Sequence, residues 1–395
     1  MQEIRLILDA GHHDRSGCPV FATIPAPAGM FVRGATMVDS ASGSTVTCQL
    51  DLAAPGRIGV AWIVDHVPAG EKRGYVLTLQ DAAPLARTDA SGVTVNQTGE
   101  DQIEVRIDDE VTTNFWYNGE WDRPFLHPVI GPYGHSVTRL WPLIEGDPHD
   151  QTDHPHQKGI WVAWGNIEGV NNWAPHELGG GKIVVDAFDM LESGPVYGRI
   201  RSRNRWMSHR GTIKTCDEIR DLVFYRFPRT ELVMIDMRVT FIAGDEPVHF
   251  IDTKEGGICS VRLRGSMDVA RGLGGLIENS FGGINEAECW GKRAQWCDYS
   301  GPVEGKTVGV TVYDQHTNPA SPTYWHVRDY GLMTANPFGR HDFVDKREDG
   351  TWLLRAGDEA TFSYRIYVHK GRAGEAAVAD KYHDFANPPT VTVEA

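Results

Sequence analysis

The segment Asp153-His154-Pro155-His156-Gln157-Lys158-Gly159-Ile160-Trp161 sets two imidazoles two positions apart, between a carboxylate and an ammonium. On an extended backbone residues i and i+2 share a side, so His154 and His156 can act on one ligand. An imidazole titrates near neutral pH, which suits it to take a proton, give one or hold a metal. The segment lies in a block from Asn114 to Trp173 that holds five of the 16 histidines (His127, His135, His149, His154, His156) and six of the 12 tryptophans. Buried imidazoles each need a hydrogen-bond partner, and indoles are uncommon on an ordinary surface. Together they point to a lined pocket, with Trp161 and Trp173 as stacking surfaces for a ligand with an apolar face and a polar rim, such as a sugar.

Three later segments carry further candidates. In Phe250-Ile251-Asp252-Thr253-Lys254-Glu255-Gly256-Gly257, Glu255 is a candidate general base and Lys254 lowers its pKa or contacts a substrate oxygen; the plainer reading is an exposed ion pair at a strand end. The run Trp290 to Gly301 mixes aromatic, cationic and acidic groups, and offers Lys292, Arg293 and Asp298 as ligand contacts. In Trp325-His326-Val327-Arg328-Asp329-Tyr330-Gly331, His326 and Arg328 share one face and Val327 the other, which fits a cavity wall or a sheet-edge salt bridge. The His154-Pro155-His156 spacing is similar to that of cupin metal sites, but Ile160 stands where a cupin carries glutamate, and no HExxH helix is present. No cofactor or metal is therefore expected, a divalent metal at His154 and His156 being the alternative. The chain also lacks a GxSxG elbow, a Walker phosphate loop and a placed GxGxxG.

These groups need a scaffold. Short runs rich in Val, Ile, Thr and aromatics, such as Ile4 to Leu8, Val46 to Leu50, Glu231 to Phe241, Ser260 to Leu263 and Ala360 to His369, alternate with turns. With 43 glycines, 22 prolines and little 3.6-residue periodicity, the chain reads as all-β and mainly antiparallel, with one amphipathic helix from Ala373 to Phe385. The first 95 residues hold few histidines and end near the polar stretch Arg87 to Gly92, so a small N-terminal β-sandwich (1–95) is expected before a large β domain (96–395) that carries the site. A net charge of -15 disfavours nucleic acid and anionic membrane surfaces as partners. Six scattered cysteines, no signal-like start and no apolar run near the roughly 18 residues of a membrane span lead to the expectation of a cytoplasmic protein with free thiols.

Taken in order, Asp122 to Pro128, Tyr133 to Arg139, Asp153 to Gly159, Asp252 to Gly256, Trp290 to Ala294 and Trp325 to Gly331 resemble a bacterial family known as PmoA or DUF6807, over roughly residues 100 to 372. Within these segments His127 and His135 are further candidate substrate contacts, and Gln157 departs from the third histidine of many members. The PmoA label belongs to a membrane-bound methane monooxygenase subunit and is set aside, since no membrane-length segment exists here. The resemblance implies a β-supersandwich similar to galactose mutarotases and a carbohydrate substrate. The expected function is acid-base chemistry on a sugar, most concretely cleavage of an oxidised (keto) glycoside by elimination or hydrolysis. His154 or His156 and Glu255 would be its acid and base; Arg293, His326 and Arg328 would bind oxygens. A mutarotase or epimerase, or a non-catalytic sugar-binding protein, are the alternatives.

Overall fold

The structure, a computed structural model, describes residues 2–27, 29–81, 91–211, 214–228 and 232–394. Residues 87–90 of the expected linker and the first residue of the expected strand at Glu231 lie outside the described residues. The protein is all-β: two eight-stranded antiparallel sheets face each other, and smaller sheets of five and three strands form a sandwich from the N-terminal region. No helix of the described residues is long and apolar enough to cross a membrane.

In the front sheet the strands run in the order Tyr324–Arg328, Leu332–Asn336, Gly256–Arg262, Ile160–Trp164, Phe125–Val129, Glu110–Trp116, Gln102–Ile107, Val93–Gln97. The back sheet includes Trp296–Val303, Lys306–Asp314, Val233–Ile242 and Glu359–Lys370. Period-2 alternation sends one set of side chains from each sheet into a shared core. Ile160, Val162, Trp164, Val261 and Val327 meet Val239, Val310, Phe362 and Ile366 there. The intervening front-sheet residues point outward, and Phe125, Trp161, Ala163 and Leu332 form a second buried layer with Trp173. The strand Ile160–Trp164 is therefore buried on both faces, which accounts for its unbroken apolar run.

Three elements differ from the sequence reading. The run Val46 to Leu50 splits into Thr45–Val46 and Cys48–Ala54, which lie in different sheets of the small sandwich. The last strand, Thr390–Glu394, pairs with Gln2–Asp9 and so returns the C-terminus to that sandwich. The helix occupies Val378–Ala386 only; residues 373–377 form turns, with Ala377 at a left-handed φ of 51°. The small sandwich is closed by Leu6, Leu8, Ile24, Trp62, Leu77 and Leu79.

Candidate functional site

The histidine segment has no regular secondary structure, so its carbonyls need donors from elsewhere. Arg139 supplies them. Its buried guanidinium donates to the carbonyls of Gln151 (3.1 Å), Asp153 (2.7 Å), His154 (2.8 Å) and Gln157 (2.9 Å), and to Asp153 Oδ1 (3.0 Å). Arg262, on the strand Gly256–Arg262, adds bonds to Asp153 Oδ1 (3.0 Å) and Gln157 Oε1 (3.1 Å). Gly159 ends the segment at a φ of +51°, where a Cβ would stand 1.9 Å from the Leu126 carbonyl, so only glycine fits.

This frame brings three of the four segments together on the outer face of the front sheet. The His154 ring stacks on Tyr330 (5.5 Å between centroids, 8° between planes) and meets His156 edge-on at 5.7 Å. His156 meets Trp173 edge-on at 6.3 Å, and Trp173 in turn lies against Trp161 (5.9 Å) and stacks on His326 (6.3 Å). Phe343 closes the far side of His326 at 6.2 Å. Arg262 and Arg328 both sit over Tyr330, at 4.6 and 5.7 Å. Glu255 and Lys254 flank the row, with Lys254 Nζ 3.9 Å from Glu255 Oε1. His154 and Arg328 are near enough for their charges to act on the Glu255 carboxyl.

The electrostatics separate the roles open to these groups. Asp153 Oδ2 lies 2.5 Å from His154 Nδ1, which fixes the tautomer that leaves Nε2 free to accept a proton. Although burial opposes ionisation, His154, Arg262 and Arg139 hold the Asp153 carboxyl down at about 2, so it remains an anion. Burial, aided by the neighbouring cations Arg123 and Lys158, pushes His156 down to about 3. His326 is pushed down to about 4 by burial, while its Nδ1 donates to the Lys254 carbonyl at 2.6 Å. Both imidazoles are thus neutral at physiological pH. Glu255 moves the other way: burial raises its pKa above the ordinary glutamate value, against the pull of Lys254 and His154. Among the described residues no group of three His, Cys, Asp or Glu side chains is placed to share a metal ion.

Four candidates lie elsewhere. His127 is buried beneath the segment, with Nε2 3.0 Å from the Arg139 carbonyl, so it braces the loop from below. His135 follows the turn Pro132–Gly134, whose neighbour Gly131 abuts Val368 of the back sheet. Arg293 turns away and donates to the carbonyls of Pro322 (2.7 Å), Ala320 and Ser321 (both 3.0 Å). Asp298 belongs to the back sheet, where it accepts from Thr311 Oγ1 (2.7 Å) and lies 2.8 Å from His369 Nε2. The dense polar pattern of Trp290 to Gly301 thus reflects a loop clamp and a buried pair. Conversely, Arg139, Arg262, Tyr330, Arg123 and Lys158 shape the site without having been singled out. All but Arg262 stand inside the quoted motifs, where their spacing to a histidine was the available signal; Phe343 gave none.

The sequence matches the family described as "Family of unknown function (DUF6807)" over residues 102–384. No curated protein matches the chain significantly. Among solved structures, an alpha-mannosidase from Enterococcus faecalis V583 is similar at 10% identity and a TM-score of 0.44, over 100% of this chain and 46% of that one. A protein in the Glycosyl Hydrolase Family 38 from Enterococcus faecalis is similar at 9% identity and a TM-score of 0.41, over 100% and 47%. The chain spans less than half the length of either. Its match over most of its length, including every segment that builds the site, shows that the chain belongs to the DUF6807 family.

Proposed function

We propose that this protein is a cytoplasmic carbohydrate-active enzyme that cleaves an oxidised (keto) glycoside by general acid-base chemistry. The observation that carries the reading is the Asp153–His154 pair standing near enough to Glu255 for their charges to interact, on a face walled by Trp173 and Tyr330. His154 Nε2 takes the proton from the carbon beside the keto group. The electron pair of that C–H bond becomes a C=C bond, the glycosidic C–O bond breaks, and the departing oxygen takes the proton of Glu255. Water adding across the double bond gives the hydrolytic outcome. A raised pKa suits Glu255 to the acid role, since its carboxyl keeps a proton at a higher pH than an ordinary glutamate. His156 and His326, neutral, hydrogen-bond sugar oxygens, and the aromatic rings take the apolar face of the ring.

The test is to follow a panel of keto-glycosides by NMR with the wild type and the Glu255→Gln and His154→Gln variants. Release of the aglycone by the wild type alone supports the reading. Interconversion of anomers or epimers without a second product replaces it with a mutarotase or epimerase, which uses the same proton-transfer pair. Saturable binding with no product under any condition makes the protein a sugar-binding module.

A further inference from the structure

Resting on the sugar reading of the site, we infer that the crevice beside His156 is an anion subsite that takes the carboxylate of an acidic sugar such as a hexuronate. Its walls are Asp122, Arg123, Phe125, His156, Lys158 and Trp161. Three nitrogens on these walls are buried and, among the described residues, have no hydrogen-bond partner: Arg123 Nε, Trp161 Nε1 and His156 Nδ1. The first two are obligate donors on side chains more than nine-tenths buried, and the third donates in one neutral tautomer. Buried donors are usually satisfied in a folded protein, and here three unsatisfied ones line the same crevice.

The charges agree with the donors. Arg123 spends its terminal nitrogens on the carbonyls of His156 (3.4 Å) and Ala174 (2.9 Å), and neither it nor Lys158 forms a salt bridge among the described residues. Lys158 instead lies over the rings of Trp121 (5.3 Å) and Phe125 (5.9 Å). Asp122 is the one carboxylate on the walls, and its Oδ2 is taken by the His176 amide at 3.1 Å. Two cations and a neutral imidazole face the single wall carboxylate, with Glu177 near enough to act on Lys158 from outside the walls. Burial and Arg123 press Lys158 down to about 8, against the pull of Asp122 and Glu177. The overall charge of -15 does not oppose this, since charges beyond about 8 Å are screened at physiological salt. Lys158 is the movable wall: its flexible stem lifts from Trp121, and the carboxylate enters against Trp161 Nε1, Arg123 Nε and the ammonium itself.

The experiment compares hexuronates with their matching neutral hexoses, and acetate, by calorimetry and by the 15N-edited signal of the Trp161 indole, identified by its loss in Trp161→Phe. Hexuronates are expected to bind tighter than hexoses and to shift the indole proton downfield. Lys158→Gln should weaken hexuronates by about tenfold or more relative to the matching hexoses. Equal affinities for the two sugar classes, with an unmoved indole signal, would overturn the subsite and leave the sugar reading standing. A response to acetate with none to any sugar would overturn the sugar reading and detach the subsite from it. No response to any of the three overturns both.

Discussion

The two large sheets carry their outer-face histidines in opposite ways. On the back sheet, His369 is buried against Asp298, and that carboxylate raises its pKa in spite of the burial. The neighbouring guanidinium of Arg365 is likewise paired, with Asp236 at 2.6 and 2.8 Å. The helix Val378–Ala386 and Tyr313, Tyr367 and Tyr382 cover this face. On the front sheet, His156 and His326 form no ion pair with a carboxylate among the described residues and are driven neutral by burial. Burial alone does not mark a functional histidine in this molecule. The charge state of each buried histidine follows from whether a carboxylate stands beside it.

The largest expected effect that sharpens this contrast is catalytic. His154→Gln removes the free Nε2 while keeping a side chain able to bond Asp153, and should lower kcat by roughly 10²–10⁴-fold with KM changed little. Steady-state kinetics on the substrate found in the NMR panel check it. A fall confined to KM would make His154 a binding group only.

Acid pH separates the faces next. His127, His156 and His326 are held at about 4, 3 and 4, against 6.5 in an unfolded chain. Near pH 5 the unfolded state therefore binds about three more protons than the folded one, and stability falls by roughly 4 kcal/mol per pH unit. The stability these groups contribute is complete above pH 6.5 and is lost as the pH falls toward 4 and 3. His369, with a raised pKa, has the opposite sign: its contribution is present below pH 6.5 and fades as the pH rises through the folded value. Denaturant melts from pH 7 to 4.5 should show the acid slope reduced by about a third in His326→Gln. An unchanged slope would remove His326 from the histidines held neutral by burial.

Much of this contrast could be read from residue types, and some could not. The alternation along Trp325 to Arg328 placed His326 and Arg328 on one face and Val327 on the other, because strand geometry fixes side from spacing alone. The clustering of imidazole and indole around His154 marked the front sheet for the same reason that it costs free energy: such groups gather where a ligand pays them back. Asp298 and Arg293 misled because a polar residue in a strand or loop reads the same whether its partner is a ligand or a distant residue. Asp298 meets His369 across 71 positions and Arg293 meets carbonyls 27 to 29 positions on. Arg139 and Arg262 went unread for the converse reason. Arg139 acts mainly on backbone carbonyls of a loop, which carry no side-chain signature, and Arg262 on side chains 105 and 109 positions away.

On the back sheet, Asp298→Asn tests whether pairing there is structural. The amide keeps the shape and a bond to Thr311 but takes away the charge that favours protonated His369. A loss of about 2 kcal/mol in unfolding free energy is expected, the usual scale for a hydrogen bond to a charged group, with sugar binding unchanged. A binding defect at full stability would return Asp298 to the site.

Arg293→Ala is the smallest change and the sharpest control. The side chain makes three bonds to carbonyls of the loop 320–322 and lies over Tyr324 at 5.5 Å, yet it is exposed. Water replaces most of what is lost, so the cost should stay within about 1 kcal/mol, below that of Asp298→Asn. Tyr324 nevertheless packs on Phe343 at 5.8 Å, and Phe343 on His326. If that chain transmits the loop's position to the site, kcat/KM will fall while the melting temperature barely moves. If the front-sheet groups are held by Arg139, Arg262 and the sheet itself, turnover will match the wild type. The bonds counted at the segment favour the second outcome, since Arg139 and Arg262 anchor it at Asp153 and Gln157 without involving the loop that Arg293 clamps.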